Sequence, residues 1–349
     1  MIVTIPNDLT HEVGSLMLNF VRFVLLGALI FCSGERLLAA ELNSEPRQKA
    51  VLITGASTGI GRKATELLAA NGYLVYAGAR KPADISALNK IENVEAVRLD
   101  VTVPEEIEAA VQLITERGHG LHGIVNNAGV NVLGPLIEIE ESELEFLFDV
   151  NVFGPYRITK AFAPLIIESQ GRIVNISSIS GTLSSGLYGG YSMSKHALEA
   201  YTDSLAMEMS MLGVPIIGIE PGNFKTNIFH NRCDRILASG YDPSESRWEQ
   251  YVTRMVEICK DRPEDTDPEP DLVAAAIEHA LFANNPKEHY LVVPEQRQAQ
   301  WTINKALEEL LMLNEDQPFS YSRDELVEML DAGLEKIQAG ESMLPGPPR

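Results

Sequence analysis

The sequence predicts an α/β fold: a doubly wound parallel sheet of about seven strands with helices on both faces, plus a C-terminal helical extension. Three observations predict it. Short apolar runs near 50–54, 74–79, 94–98, 123–126, 171–176, 215–220 and 289–293 alternate with helical patterns near 60–71, 104–117, 141–168, 191–212 and 271–283. A glycine-rich turn joins the first of those strands to the first helix. The chain has 349 residues, 45% of them hydrophobic, enough for one large core with appendages.

The order of elements follows from the residues. Residues 1–47 read as a leader, with ten apolar residues in Phe23–Cys32 after Arg22. That run is short for a membrane span, which needs about 20 residues, but it suits a signal-peptide core or an anchor; a true start at Met17 is the other reading. Val51-Leu52-Ile53 then forms a strand that enters Thr54-Gly55-Ala56-Ser57-Thr58-Gly59-Ile60-Gly61. A helix with Leu67, Leu68 and Ala70 ends at Asn71-Gly72, and Leu74–Ala79 makes the second strand. A strand, a glycine turn and a helix form the element whose N-terminal amides bind a dinucleotide pyrophosphate. Pro104 followed by Glu105 and Glu106 marks a helix start.

Residues 227–270 break the rhythm, with Trp248, Tyr251, Val252 and Met255 at helical spacing among charges. They are expected to form a lid over the site or a surface helix burying an apolar stripe. Further on, Trp301, Ala306, Leu307, Leu310 and Leu311 suggest an amphipathic helix. Ser322-Arg323-Asp324-Glu325 is a capping box opening another, with Leu326, Met329, Leu330 and Leu334. This extension is expected to pack on the core or on a partner subunit, and the tail Leu344–Arg349 to be disordered. The expected organisation is therefore a leader at 1–47, a nucleotide-binding domain at 48–295 and a helical extension at 296–349.

The formal charge of −21 argues against nucleic acid, whose phosphates would repel the chain. Cys32, Cys233 and Cys259 are odd in number and scattered, so no disulfide framework is expected. Neither they nor the seven histidines show metal-ligand spacing.

Tyr191-Ser192-Met193-Ser194-Lys195 places a phenol and an ammonium four residues apart, on one face of a helix. A free tyrosine has a pKa near 10, so acid/base work at neutral pH needs a shift of about three units, roughly 4 kcal/mol. A unit charge at about 4 Å in an effective dielectric of about 20 supplies an energy of that order before desolvation. Lys195 is thus expected to lower the Tyr191 pKa. The pair alone occurs often by chance, and its company decides.

Five separated motifs stand in order: Thr54-Gly-x-x-x-Gly59-Ile-Gly61, Asp100-Val101, Asn126-Asn127-Ala128-Gly129, Ser178 with Tyr191 and Lys195, and Pro221-Gly222. With them, over roughly residues 48–295, the chain resembles the short-chain dehydrogenase/reductase family. The resemblance implies a Rossmann-like fold and a fourth catalytic position at Asn151. It places Ser178 thirteen residues before Tyr191, with Ser177 off by one. The segments Ser194–Leu205 and Ile219–Thr226 look most like the branch with retinol, hydroxysteroid and 3-hydroxybutyrate dehydrogenases.

The resemblance implies that Tyr191 exchanges a proton with a secondary alcohol or ketone (or aldehyde), and that Ser178 holds the substrate oxygen. Lys195 would hydrogen-bond the nicotinamide ribose, and Asn151 would anchor a water passing protons to Lys195. The cofactor would lie against Gly55, Ser57, Thr58, Gly59, Ile60, Gly61, Arg80, Asp100, Val101, Asn127, Ala128, Gly129, Pro221, Gly222 and Thr226, with Tyr191 and Lys195. NADP(H) is expected in preference to NAD(H), because Ala79 stands where an acidic residue would bind the ribose hydroxyls and Arg80 follows. The substrate pocket, with Leu183, Leu187, Tyr188, Phe224 and Trp248, suggests a largely apolar small molecule. A homodimer or homotetramer is implied, in the cytoplasm and tethered to a membrane if the leader is an anchor; export is the alternative. A competing reading is a catalytically idle dinucleotide sensor or scaffold, although all four catalytic positions are present. Extended relatives that epimerise nucleotide sugars usually carry Thr-Gly-x-x-Gly-x-x-Gly, which this chain does not match.

Overall fold

The computed structural model describes residues 48–344. The expected leader and the last residues of the tail lie outside that range. Seven strands form one sheet of order β3-β2-β1-β4-β5-β6-β7, and every neighbouring pair is parallel. The strands are β1 (Ala50–Ile53), β2 (Leu74–Ala79), β3 (Val94–Arg98), β4 (Gly123–Asn126), β5 (Arg172–Ile176), β6 (Ile216–Pro221) and β7 (His289–Val292).

Period-two alternation sends successive residues of each strand to opposite faces. Val51 and Ile53 of β1 join one core with Ala64 and Leu68 of α1 (Gly59–Ala70), Leu88 of α2 (Pro82–Leu88) and, from a later helix, Val273 and Ile277. Ala50 and Leu52 join the other core with Ile107 and Ile114 of α3 (Pro104–Arg117) and with Ile158 and Phe162. Burying each of the Val, Leu, Ile and Phe side chains contributes about 1.5–3 kcal/mol. Two buried faces require helices on both, hence the doubly wound layering.

The helix expected at 141–168 runs as α4 (Glu141–Phe148), a π-helical segment Asp149–Phe153, and α5 (Gly154–Glu168). Asn151 accounts for the widened turn. Its Oδ1 accepts from Val130 N at 2.8 Å and its Nδ2 donates to Val130 O at 2.9 Å, tying the helix to the loop after β4. The remaining helices are α6 (Gly189–Ser210), α7 (Ile228–Ala238), α8 (Glu249–Asp261), α9 (Asp271–Phe282), α10 (Gln296–Asn314) and α11 (Arg323–Ala339).

Two expectations need correction. Cys233 of α7 and Cys259 of α8 form a disulfide, buried at the contact of the two helices. In α8 the buried stripe is Val252, Val256 and Cys259, while Tyr251 and Trp248 are exposed. The extension also divides. Helix α10 packs on the core through buried Gln298 and Thr302, whereas α11 buries no residue and exposes Met329, Leu330 and Leu334. The capping box at its start is complete, with Ser322 and Glu325 each bonding the other's backbone.

Candidate active site

The order of strands reverses between β1 and β4, because the chain winds outward from β1 to β3 and then returns to the other side. Helices leaving adjacent strands on opposite faces open a crevice at the carboxyl ends there. A cavity of about 1150 Å³ occupies that edge. It is lined by Gly55, Ser57, Thr58, Gly59, Ile60, Arg80, Asp100, Val101, Asn127, Ala128, Gly129, Ser178, Tyr191, Lys195, Pro221, Gly222 and Thr226. Gly61 and Asn151 stand behind this wall.

The glycine turn is built for close approach. Gly59 has φ +56°, a left-handed backbone that disfavours side chains, and a Cβ there would press on Thr226 Cβ at 3.1 Å. Thr58 makes no side-chain cap and the first turn of α1 holds no acid, so its leading N–H groups face the cavity without an anion. This fits a dinucleotide pyrophosphate. Thr54 Oγ1 accepts from Asn127 N and Ala128 N, both at 3.0 Å, and Asn127 Nδ2 donates to Thr54 O at 2.9 Å. The Asn127-Ala128-Gly129 strap is thereby locked onto the turn.

Below it, a buried ladder rigidifies the strand ends. Asn126 Nδ2 donates to Asn175 Oδ1 at 2.9 Å, and Asn175 Nδ2 donates to Thr202 Oγ1 at 2.9 Å. Arg80, half-exposed at the end of β2, pairs with Asp100 Oδ2 at 3.4 Å. Burial pushes the Asp100 carboxyl up, but bonds from Thr102 and the Arg80 guanidinium outweigh it and hold it below its ordinary value.

Ser178 follows β5 as the N-cap of a short 3₁₀ turn, and Ser180 N donates to its Oγ at 3.1 Å. It faces Tyr191 across the cavity wall, and a hydrogen bond joins the two side chains. Ser177 lines the cavity too, but its Oγ is sealed from solvent beside Gly181 and Glu199. Lys195 lies under the Tyr191 ring, 5.7 Å from its centroid, and donates to Ile176 O at 3.0 Å.

The electrostatics correct one expectation. Burial pushes the Tyr191 hydroxyl up to about 12, with the Ser178 bond opposing. Burial also pulls the Lys195 ammonium down to about 8, with Glu199 opposing. Desolvation is the largest cause at both groups, because burial disfavours the charged form of each. Burial thus favours the neutral phenol at Tyr191.

Asn151 is held by its neighbours. Its two amide protons go to Val130 O and Ser194 Oγ, and one oxygen lone pair to Val130 N. One Oδ1 lone pair is left for a water.

The substrate pocket, expected along residues 179–190, 223–260 and the C-terminal helices, is lined in part by residues that the sequence did not single out. Trp301, Asn304 and Lys305 of α10 line the cavity, while Trp248 and Leu187 do not. Arg232 and Phe229 of α7 line it as well. Glu199, Glu220 and His289 bring ligand-type atoms within 4.8 Å of one another behind Lys195, and His289 Nε2 lies 2.8 Å from Asp203 Oδ1. The Glu220 carboxylate, with Glu199 and Asp203, raises His289 to about 9 against the pull of burial.

A nucleotide crevice beside a Ser–Tyr–Lys wall defines a nicotinamide-type oxidoreductase site. A family model for short chain dehydrogenases matches residues 49–236. The chain is 33% identical over 300 residues to the mitochondrial D-beta-hydroxybutyrate dehydrogenase of Bos taurus, covering 79% of this chain and 84% of the relative. It is 34% identical over 261 residues to retinol dehydrogenase 16 of Homo sapiens, covering 71% and 81%. Among solved structures, a short-chain dehydrogenase from Streptomyces avermitilis is similar at TM-score 0.60 and 28% identity, covering 85% of this chain and 99% of that one. ElxO with NADP bound is similar at TM-score 0.56 and 25% identity, covering 70% and 96%. The chain belongs to the short-chain dehydrogenase family. It is an oxidoreductase of the class acting on alcohol groups.

Proposed function

We propose that the protein is an NADP(H)-preferring dehydrogenase or carbonyl reductase acting on a secondary alcohol or ketone with a largely apolar body. The observation that carries this is the juxtaposition of Ser178, Tyr191 and Lys195 in one cavity wall, with Lys195 beneath the Tyr191 ring. Bound NADP(H) supplies or accepts the hydride at the substrate carbon. In reduction Tyr191 gives its proton to the carbonyl oxygen, and Ser178 donates a hydrogen bond to the same oxygen as charge develops. The Lys195 ammonium then stabilises the phenolate left behind. Leu183, Phe224 and Phe229 supply apolar wall. Relatives named for hydroxybutyrate, retinol and estradiol support an alcohol substrate.

Preference for the 2′-phosphate rests on Ala79, which offers no carboxylate to the ribose, and on the half-exposed Arg80, whose long contact to Asp100 leaves donors free.

NADPH oxidation with a panel of ketones and aldehydes tests the activity. Turnover that falls about 10²–10⁴-fold in Tyr191→Phe supports the assignment. A variant retaining more than about a tenth of the rate overturns Tyr191 as the acid. For the cofactor, kcat/KM should favour NADPH over NADH, and Arg80→Ala should shrink that ratio. An unchanged ratio overturns the role of Arg80.

A further inference from the structure

The substrate cavity holds a buried cation without an anion. Arg232, on the inward face of α7, is 9% exposed. Its Nε is sealed from solvent with no hydrogen-bond partner. Nη1 reaches only the Tyr188 hydroxyl, at the long distance of 3.5 Å. Among the described residues no carboxylate lies within ion-pair distance of it. Its helical neighbours differ: Arg235 pairs with Glu143, and Arg262 reaches across to Asp234. In a chain of net charge −21, leaving one buried guanidinium unpaired is a specific arrangement.

A guanidinium taken out of water needs a counter-charge or a full set of acceptors. The rings of Phe229 and Tyr188, with centroids 5.0 and 6.0 Å from Cζ, offset a fraction of that cost. Arg232 lines this wall together with Ser178, Tyr188 and Tyr191. It equally borders an adjoining pocket of about 300 Å³, so it stands where the two spaces meet.

We infer that the substrate carries a carboxylate, and that Arg232 with the Tyr188 hydroxyl binds it while Ser178 and Tyr191 hold the reacting oxygen. This rests on the oxidoreductase reading above and narrows its substrate to amphipathic hydroxy and oxo acids. The planar fork gives two parallel donors to a carboxylate, which an ester or amide cannot match in charge. Arg232 thus determines specificity and takes no part in proton or hydride transfer.

The test compares kcat/KM for straight-chain oxo acids with that for their methyl esters, using NADPH and the full chain. Wild type should favour the acids by about tenfold or more, the range of a charge-assisted hydrogen bond. Arg232→Met should bring the acid-to-ester ratio to within about threefold of unity, and Arg232→Lys should fall between. A wild type that favours esters, or an Arg232→Met that lowers both substrates equally, overturns the inference. Circular dichroism and NADPH affinity check that the variants fold.

If no ketone is turned over, the oxidoreductase reading fails and the inference is judged on binding. Butyrate should then bind the wild-type–NADPH complex about tenfold more tightly than butyramide, with the difference lost in Arg232→Met. Equal binding of the two probes overturns it.

Discussion

Asn223 donates its backbone N–H to Gln298 Oε1 at 2.8 Å, so a side chain of the C-terminal extension closes the turn that follows β6. Gly222 leaves the room, since a Cβ there would collide with Gln298 Oε1 and lie 3.0 Å from Val293 Cγ1. The extension is therefore part of the wall that lines the cavity at Pro221, Gly222 and Asn223.

Gln298→Ala leaves a buried amide without its acceptor, a loss of about 1–3 kcal/mol. NADPH affinity should fall roughly 5- to 30-fold because the turn beside Thr226 loosens. Titration calorimetry reads this directly, and unchanged affinity would show that the turn holds itself.

The pH profile should carry the shifts of Tyr191 and Lys195. With Lys195 near 8 and Tyr191 near 12, the tyrosine stays a donor across the working range while the ammonium is lost above about pH 8. At sub-saturating NADPH, kcat/KM for reduction should be level below that point and then drop about tenfold per unit. Lys195→Met should remove the descending limb. A wild-type profile level to pH 10 would disprove the role of the ammonium.

Ser178→Ala should lower kcat about 10²-fold, as expected for loss of one donor to a developing oxyanion. Ser177→Ala should change it less than about threefold, since its hydroxyl faces Glu199 and Gly181. The reverse ranking would show that the wrong serine borders the reacting oxygen.

His289 predicts a pH-dependent stability. Its folded-state value of about 9 lies above the ordinary 6.5, so its contribution is full below about pH 6.5 and lost as pH rises through 9. His289→Gln, which leaves Glu199 and Glu220 facing each other without a cation, should lower Tm by roughly 3–8 °C at pH 6.5. At pH 10 the gap to wild type should largely close. Thermal melts at the two pH values decide it, and an equal gap at both would exclude an imidazolium.

Most elements were legible because strong local signals mark them. Pro104 opens α3 and Gly118, left-handed at φ +68°, closes it, so the helix ends where the sequence suggests. The capping box at Ser322 likewise sets the start of α11. Helix α2, with seven residues, is too short to display a period. Pairing of Cys233 with Cys259 depends on how α7 and α8 fold back, which spacing does not encode. The i,i+4 spacing put Tyr191 and Lys195 on one helix face, and the family resemblance added Ser178; all three line the cavity. The spacing could not foretell the direction of the Tyr191 shift, since four-residue spacing reports the nearby charge but not the missing water. Arg232 was hidden among other charges, because nothing local separates an unpaired arginine from a solvated one.

The bridge between Cys233 and Cys259 closes a ring of chain through α7 and α8. A protease that cuts one peptide bond in the exposed connection between α7 and α8 releases no fragment, because both new ends stay joined through sulfur. Cleavage there would add the mass of one water and nothing else, and two separate bands would emerge on a denaturing gel only after a thiol reductant opened the ring.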